Sequence, residues 1–177
     1  MTRDEQIAKA VARLDVTGAE DQDAAWVQLR PLGFAIVPYL SAAYPEFRTW
    51  QGRAALVYYA TRYARVSEPA VDLGLTALND RSYMVRYRAC GLLAYSLEKR
   101  ALERLGKALE DDRELVAQSA QAAINAIRAG NHHLFADTGL SGRTSWSVNP
   151  GDIAVGGKPP PIPSRLKRIV LGIRPAR

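Results

Sequence analysis

The chain has 177 residues, enough for one domain with a substantial core and too few for two comfortable ones. Hydrophobic residues make up 47% and charged residues 24%, a balance typical of soluble globular proteins. No apolar run approaches the roughly 18 residues of a membrane span. The acids near the amino terminus are also unlike a secretory leader, so we expect a cytoplasmic protein without a membrane span.

The net charge of +6 is carried by the end of the chain. Residues 158–177 contain six basic residues and no acid, whereas residues 1–157 balance at 18 of each. Within that body, residues 48–104 hold ten bases against five acids, and the segments on either side are acidic. The sequence therefore predicts a basic middle between acidic ends, followed by a basic tail.

Apolar residues recur with the period of amphipathic helices through the first 130 residues. Thr2 with Glu5 forms a capping-box pattern, and Pro38 falls in a first helical turn, where a missing amide costs little. Because the connections between the predicted helices are short, consecutive helices must run antiparallel to each other. The predicted helices span residues 2–14, 23–32, 34–44, 50–65, 67–78, 82–97, 99–109 and 112–130.

These helices occur in pairs that repeat along the chain. Such self-similarity predicts that each pair buries its apolar face against the next pair, which a four-helix bundle would not need. We therefore predict an all-α stack of helix pairs. Six residues recur 31 positions later: Ala70 as Ala101, Ala77 as Ala108, Leu78 as Leu109, Asp80 as Asp111, Val85 as Val116 and Ala89 as Ala120.

The turns and helix starts resemble those of HEAT-repeat proteins. The pattern is seen in Val37-Pro38-Tyr39-Leu40 after Leu32-Gly33, and in Leu78-Asn79-Asp80 followed by Val85-Arg86-Tyr87-Arg88-Ala89. The resemblance implies a right-handed, armadillo-type α-solenoid of about three and a half helix pairs over residues 1–130. It also implies that the turn Asp caps the next helix and that the Arg bonds to the preceding repeat. Val116-Ala117 departs from the pattern, because the Arg is missing.

The character of the sequence changes after Gly130. We predict that residues 131–157 form a cap of loops or short strands that seals the exposed apolar end of the stack. This stretch resembles the ending of small bacterial HEAT-like proteins. Residues 158–177 combine a Pro-rich linker with a basic segment, which we expect to be flexible. The sealing side chains of the cap are Leu134, Phe135, Trp146 and Val148.

No motif of an active site is found, so we predict no enzymatic activity, no cofactor and no bound metal. His132, His133 and Asp137 form the only cluster of metal-ligand type, but adjacent histidines usually point apart and no further ligand follows at a useful spacing. We favour a structural role in which the imidazoles bond to loop backbone. Cys90 lies between small residues in a helical pattern, which predicts a buried thiol.

Arginine and tyrosine are concentrated in the basic middle, a composition enriched at protein–protein hot spots. A groove that follows phosphates and stacks bases has the same composition, and a third interpretation packs these side chains inside the stack. Those on the 50–65 and 82–97 helices are expected to lie on one side of the molecule. The candidates for partner contact are Arg48, Trp50, Arg53, Tyr58, Arg62, Tyr83, Arg86 and Tyr87.

The sequence thus favours a protein-binding module. By analogy alone, we expect most specifically an immunity protein that neutralises a bacterial toxin, or an adaptor in a larger complex. The alternative is a nucleic-acid-binding protein on a scaffold like that of the HEAT-like DNA glycosylases. Those enzymes need a catalytic carboxylate beside aromatic residues, and no such group can be assigned in this sequence.

Overall fold

The computed structural model describes residues 1–152, which are all-helical and contain no β-strand. The basic tail and the last residues of the predicted cap lie outside the described residues. Four 3-10 helices accompany the α-helices, at Arg30–Ile36, Tyr44–Glu46, Lys99–Ala101 and His132–Phe135. The α-helices are α1 (Arg3–Ala12), α2 (Ala19–Leu29), α3 (Val37–Ala43), α4 (Trp50–Thr61), α5 (Glu68–Ala77), α6 (Tyr83–Ser96), α7 (Leu102–Ala108) and α8 (Glu114–Ala129).

Local hydrogen bonds fix several helix ends. The predicted capping box is confirmed, because the Glu5 amide donates to Thr2 Oγ1 and the Thr2 amide donates to the Glu5 carboxylate at 2.7 Å. Thr49 and Ser67 accept from amides in the first turns of α4 and α5. Gly130 ends α8 in the left-handed conformation, with φ of 62°.

The helix predicted over residues 34–44 begins later, at Val37. Gly33 has φ of 56° and ψ of −134°, and the chain around it forms the 3-10 helix Arg30–Ile36. This backbone conformation is readily accessible only to glycine. The apolar pattern of the sequence is helical from residue 34, but the α-helix itself begins only at Val37, after the turn at Gly33.

The principal contacts between helices join those close in the sequence. Each of the pairs α1–α2, α3–α4, α4–α5, α5–α6 and α7–α8 packs together, and so do α1–α3, α3–α5, α4–α6 and α6–α8. The helices α4 and α6 therefore lie side by side. One apolar core runs through the described residues from Val11 to Leu134, and its burial is the main source of stability.

Two ion pairs connect α4 and α6 to turns further along the chain. Arg53 pairs with Asp80 at 2.6 Å, and Arg86 pairs with Asp111 at 2.7 Å. Each aspartate also accepts from the amide two residues further on, which belongs to the residue just before the next helix. The predicted Asp cap is therefore wrong, because no side chain of the described residues caps the first turn of α6 or α8. The predicted direction of the Arg bond is wrong. Both ion pairs run forward to a later turn, and the remaining N–H groups bond to carbonyls just before the arginine's own helix.

Residues 131–152 of the predicted cap pack against the core, and they form the 3-10 helix His132–Phe135 followed by loop, with no strand. Leu134 is buried, and Phe135, Trp146 and Val148 pack on the core beside it. Residues 144–148 pair with no strand in the described part of the chain, and side chains bond to the backbone of Trp146 and Val148 instead. The amide and carbonyl of Trp146 bond to His133 and His132, and the Val148 amide donates to Asp152 at 2.7 Å. Among residues 1–152, no helix has both the length and the apolarity needed to cross a bilayer.

Candidate contact surface

An open cleft of about 340 Å³ lies where α2, α4, α6 and the cap meet. Tyr58, Arg62 and Tyr87, three of the predicted contact residues, line it. We call it the α4–α6 cleft. Its aromatic lining residues are Trp26, Tyr58, Tyr59, Tyr87, Phe135 and Trp146. Its charged lining residues are Asp23, Arg30, Arg62 and Arg88.

The wall formed by α2 and α4 is held together by ring stacking and a hydrogen bond. The rings of Trp26 and Tyr59 stack with centroids 4.2 Å apart and planes 8° apart. The Tyr59 hydroxyl donates to the Asp23 carboxylate at 2.8 Å. Burial and this hydrogen bond raise the pKa of Tyr59 well above its ordinary value, so the hydroxyl stays protonated and keeps Asp23 in place.

The cap forms the floor of the cleft. Gly91 allows it to approach α6 closely, because a side chain at this position would place its Cβ 3.3 Å from the ring of Phe135. The Phe135 ring in turn contacts Trp146, with centroids 5.0 Å apart, and lies beside Tyr87 at 6.4 Å. The shape of the cleft thus depends on how the cap packs against α6.

Arg88 is held at the cleft by aromatic faces. Its guanidinium carbon lies 5.0 Å from the centroid of the Tyr58 ring and 5.8 Å from that of Tyr87. Such cation–π contacts restrain the side chain while leaving its N–H donors available. Arg30 and Arg62 complete the positive charge of the cleft, and neither side chain forms an ion pair or hydrogen bond within residues 1–152.

The cap is anchored by a polar network beneath the cleft. Asn149 donates to the Arg62 carbonyl and to the Tyr95 hydroxyl, both at 2.8 Å, and Tyr95 donates to Asp152 at 2.9 Å. Arg65 lies over the Tyr95 ring, 4.5 Å from its centroid. The network connects the carboxyl ends of α4 and α6 to the cap.

His132 belongs to this network as a neutral ring. Burial, followed by the charges of His133 and Arg65, lowers its pKa to about 4. Its Nε2 lies 2.9 Å from the Trp146 carbonyl, and its Nδ1 contacts the Arg65 guanidinium. These partners assign the proton to Nε2, because the carbonyl can only accept and the guanidinium can only donate.

A second groove continues the cleft along α4 and α6. Trp50, Ala54 and Met84 line it, and it shares Tyr58 and Arg88 with the cleft. Trp50 is 42% exposed and Tyr58 is 55% exposed, which is unusual for side chains so large. Together the two cavities form one aromatic and basic surface along these helices.

The predicted contact residues divide into two groups. Trp50, Tyr58, Arg62 and Tyr87 line the continuous surface just described. Arg48 and Tyr83 are exposed but lie elsewhere. Arg48 precedes the start of α4, and Tyr83 is 37% exposed with the Arg113 guanidinium 4.9 Å from its ring centroid.

Arg53 and Arg86 are corrections to the predicted surface. Arg53 is only 6% exposed and binds Asp80 through two nitrogen atoms. The Arg86 side chain is 14% exposed and binds Asp111 in the same way. Their donors are used inside the protein, so both arginines are structural links between helices and are not available to a partner on this surface.

The lining residues Trp26, Arg30 and Arg88 were not among the predicted contact residues, and the role of the cap in the cleft was also missed. Asp23, Trp26 and Arg30 follow one another at helical spacings of three and four, which places them on one face of α2. This spacing could have indicated that the three residues line one surface. Phe135 and Trp146 were predicted to cover the end of the core, but nothing in the sequence shows that they also face a cleft.

The histidine cluster has the structural role that we favoured. His132 and His133 are buried and bond to the backbone of Trp146, and the Asp137 carboxylate accepts from Ser141 and from the Gly142 amide. The expectation that the two imidazoles point apart is wrong, because their ring centroids are 4.0 Å apart. In the described residues, no group of three or more His, Cys, Asp or Glu is arranged to hold a metal ion.

Cys90 is fully buried, as predicted, and burial raises the pKa of its thiol to about 12. The thiol is therefore protonated and shielded from solvent, which is the opposite of what a reactive cysteine needs.

No known protein family matches this sequence, and a search of curated proteins finds no significant match. The candidate site is therefore judged on its geometry and chemistry.

Proposed function

We propose that this protein is a non-catalytic module that binds another protein through the α4–α6 cleft and the groove that continues it. The observation that supports this is the exposure of Trp50, Tyr58 and Arg88 along one open surface. Tyrosine, tryptophan and arginine are the residues that dominate binding energy at protein interfaces. A cleft between rigid helices provides the pocket in which such anchors act.

We further propose that the helices form a right-handed, HEAT-like α-solenoid. Two features support this architecture. Helix contacts join neighbours and next-neighbours in the sequence, as expected when pairs stack in order. In addition, the Arg53–Asp80 pair is followed by an equivalent Arg86–Asp111 pair. In this arrangement, α4 and α6 present one side of the stack to the partner.

The absence of catalysis is part of the proposal. Of the groups with the most strongly shifted pKa values, Tyr44, Cys90 and His132 lie outside the cleft, in the core and the cap network. Tyr59 lines the cleft, but its hydroxyl donates to Asp23 within the wall. In enzymes such groups are typically found in the cleft where substrate binds. Enzymatic screening is less informative here than a search for a binding partner.

Affinity capture with the full-length protein tests the proposal. We expect the wild-type chain and a Leu115→Ala control, altered at an exposed apolar side chain of α8, to retain the same protein. The Tyr58→Ala variant should lose it. If no protein is retained, or if retention is indifferent to Tyr58, the proposal fails.

An immunity protein or an adaptor in a cytoplasmic complex is the more specific form of this function. Gene context separates the two, because immunity genes lie beside the gene for their toxin. Co-expression with the neighbouring gene product should then protect cells from it, and the Tyr58→Ala variant should protect less. A housekeeping operon would argue against immunity and favour the adaptor.

A nucleic-acid-binding function is the second candidate, and the pairing of arginines with aromatic rings in the cleft favours it. Titration of fluorescent DNA and RNA at two salt concentrations tests it. Binding that falls steeply with salt and survives removal of residues 158–177 would support this function over protein binding.

A further inference from the structure

We propose that the α4–α6 cleft receives a carboxylate-bearing loop or tail of the protein partner, with Arg30, Arg62 and Arg88 binding its acidic side chains. The proposal rests on the proposed protein-binding function, because it names the chemistry of that same partner. It follows from the balance of charge in the cleft, the restraint on Arg88, the acidic surroundings and the apolar floor.

The cleft has more positive charge than its own acids can neutralise. Arg30, Arg62 and Arg88 make no ion pair within residues 1–152. Of the described residues that line the cleft, only Asp23 is acidic, and its carboxylate already accepts from the Tyr59 hydroxyl at 2.8 Å. An anionic group from outside therefore complements the cleft.

Of the three arginines, Arg88 is the one whose side chain is restrained by ring contacts before a partner binds. The rings of Tyr58 and Tyr87 lie 5.0 and 5.8 Å from its guanidinium carbon and restrain the side chain. No protein acceptor uses its N–H donors within the described residues. A guanidinium presents these donors as a planar fork that matches the two oxygens of a carboxylate. Because the side chain is already restrained, binding costs less conformational entropy.

The surroundings of the cleft favour a short acidic segment over a long polyanion. Glu20, Asp21 and Asp23 lie on α2, which forms one wall. A nucleic-acid backbone gains affinity by having several consecutive phosphates neutralised, and the acids on this wall would oppose it. A partner segment with acids at its centre and neutral or basic flanks avoids them.

The floor of the cleft adds an apolar requirement. Gly91, Phe135 and Trp146 form a surface without charge beneath the arginines. Side chains of Leu, Phe or Trp next to the acidic residue would bury apolar area there. The preferred segment therefore alternates acidic with aromatic or aliphatic residues.

Nuclear magnetic resonance of the arginine side chains tests this recognition directly. The full chain, labelled with ¹⁵N, is titrated with the peptide acetyl-Ser-Glu-Trp-Glu-Ser-amide and with its Gln-for-Glu counterpart. We expect the acidic peptide to shift the Nε–H signals of Arg30, Arg62 and Arg88. We also expect it to bind about tenfold more tightly than the neutral peptide, since charge-assisted hydrogen bonds replace neutral ones.

Substitutions distinguish peptide binding at the cleft from peptide binding by basic residues elsewhere in the chain. Arg88→Gln should weaken binding of the acidic peptide about tenfold. Arg88→Lys, which keeps the charge without the fork, should be intermediate. Arg128→Gln, at an exposed position of α8, should leave binding unchanged. All variants keep the six bases of residues 158–177, so a difference between them belongs to the cleft.

Three results would overturn the proposal. The first is equal affinity for the acidic and neutral peptides, or an Arg88→Gln variant that binds like the wild type. The second is an oligothymidylate of about ten nucleotides that shifts the same arginine signals at lower concentration, which would favour nucleic acid. The third is a captured partner that depends on Tyr58 but on none of the three arginines. That result would leave the protein-binding function standing, whereas a partner indifferent to the whole cleft would overturn both.

Discussion

Arg53 and Asp80 form a two-point ion pair from which water is almost excluded. Arg53 Nε lies 2.6 Å from Asp80 Oδ2, Nη2 lies 3.1 Å from Oδ1, and the two side chains are 7% and 4% exposed. Burial by itself raises the pKa of Asp80, but hydrogen bonds from Arg53 and Tyr44 outweigh it, and the pKa lies below its ordinary value. The pair connects the start of α4 to the turn before α6.

Removing one member of this pair should be costly. We expect Arg53→Met to lower the free energy of unfolding by about 3–5 kcal/mol, because it leaves the buried Asp80 carboxylate without its countercharge. Arg86→Met is the matched comparison, and it should cost less because the Arg86–Asp111 pair is more open, at 14% and 10% exposed. Urea denaturation measures both. A loss below about 1 kcal/mol for Arg53→Met would show that the pair is not a structural link.

Two helical glycines, one in α5 and one in α7, should respond to alanine in opposite directions. A Cβ at Gly74 in α5 would lie 2.6 Å from Leu92 Cδ2 in α6, so Gly74→Ala should destabilise the protein by about 1–3 kcal/mol through overpacking. A Cβ at Gly106 in α7 would meet nothing within 4 Å. Gly106→Ala should therefore stabilise by about 0.5–1 kcal/mol, the ordinary helical advantage of alanine. Equal effects in thermal denaturation would contradict the close packing of α5 on α6.

The cap should make stability depend on pH. His132 has a pKa of about 4 in the folded protein, below its ordinary value of 6.5, so the unfolded chain binds the proton more readily. The stability that neutral His132 contributes is complete above pH 6.5 and is lost as the pH falls towards 4. We expect the melting temperature to drop between pH 6.5 and 4.5, above the range in which the carboxylates titrate. The His132→Gln variant should be less stable but should lose most of this slope, and an unchanged slope would assign it to another group.

The helices were predictable because their signals are local. The capping box at Thr2, the end of α8 at Gly130 and the positions of α4 and α6 follow from capping chemistry and apolar period. The choice between loop and strand in the cap was not predictable, because the backbone of Trp146 and Val148 bonds to histidines and to Asp152, which approach only in the folded cap. Such side-chain competition for backbone groups leaves no periodic trace.

The candidate surface was only partly predictable for a geometric reason. Arg86 and Arg88 are two residues apart, so they project about 200° apart around α6. Arg86 faces the turn that contains Asp111, whereas Arg88 faces Tyr58. Composition identifies the segment that is rich in arginine and tyrosine. It does not reveal which arginines bind the protein's own aspartates, because those partners lie 25 to 27 residues away.

The affinity of the captured partner for the Tyr58→Ala variant, measured together with the melting temperature, is the most direct test of the protein-binding cleft. Tyr58 is 55% exposed, so its removal should cost the complex about 1–4 kcal/mol while the melting temperature stays close to that of the wild type. Leu115→Ala, at a similarly exposed position on α8, should change neither quantity. A Tyr58→Ala protein that binds the partner as tightly as the wild type would contradict the account, and the contact surface would then have to be sought at the acidic ends of the molecule.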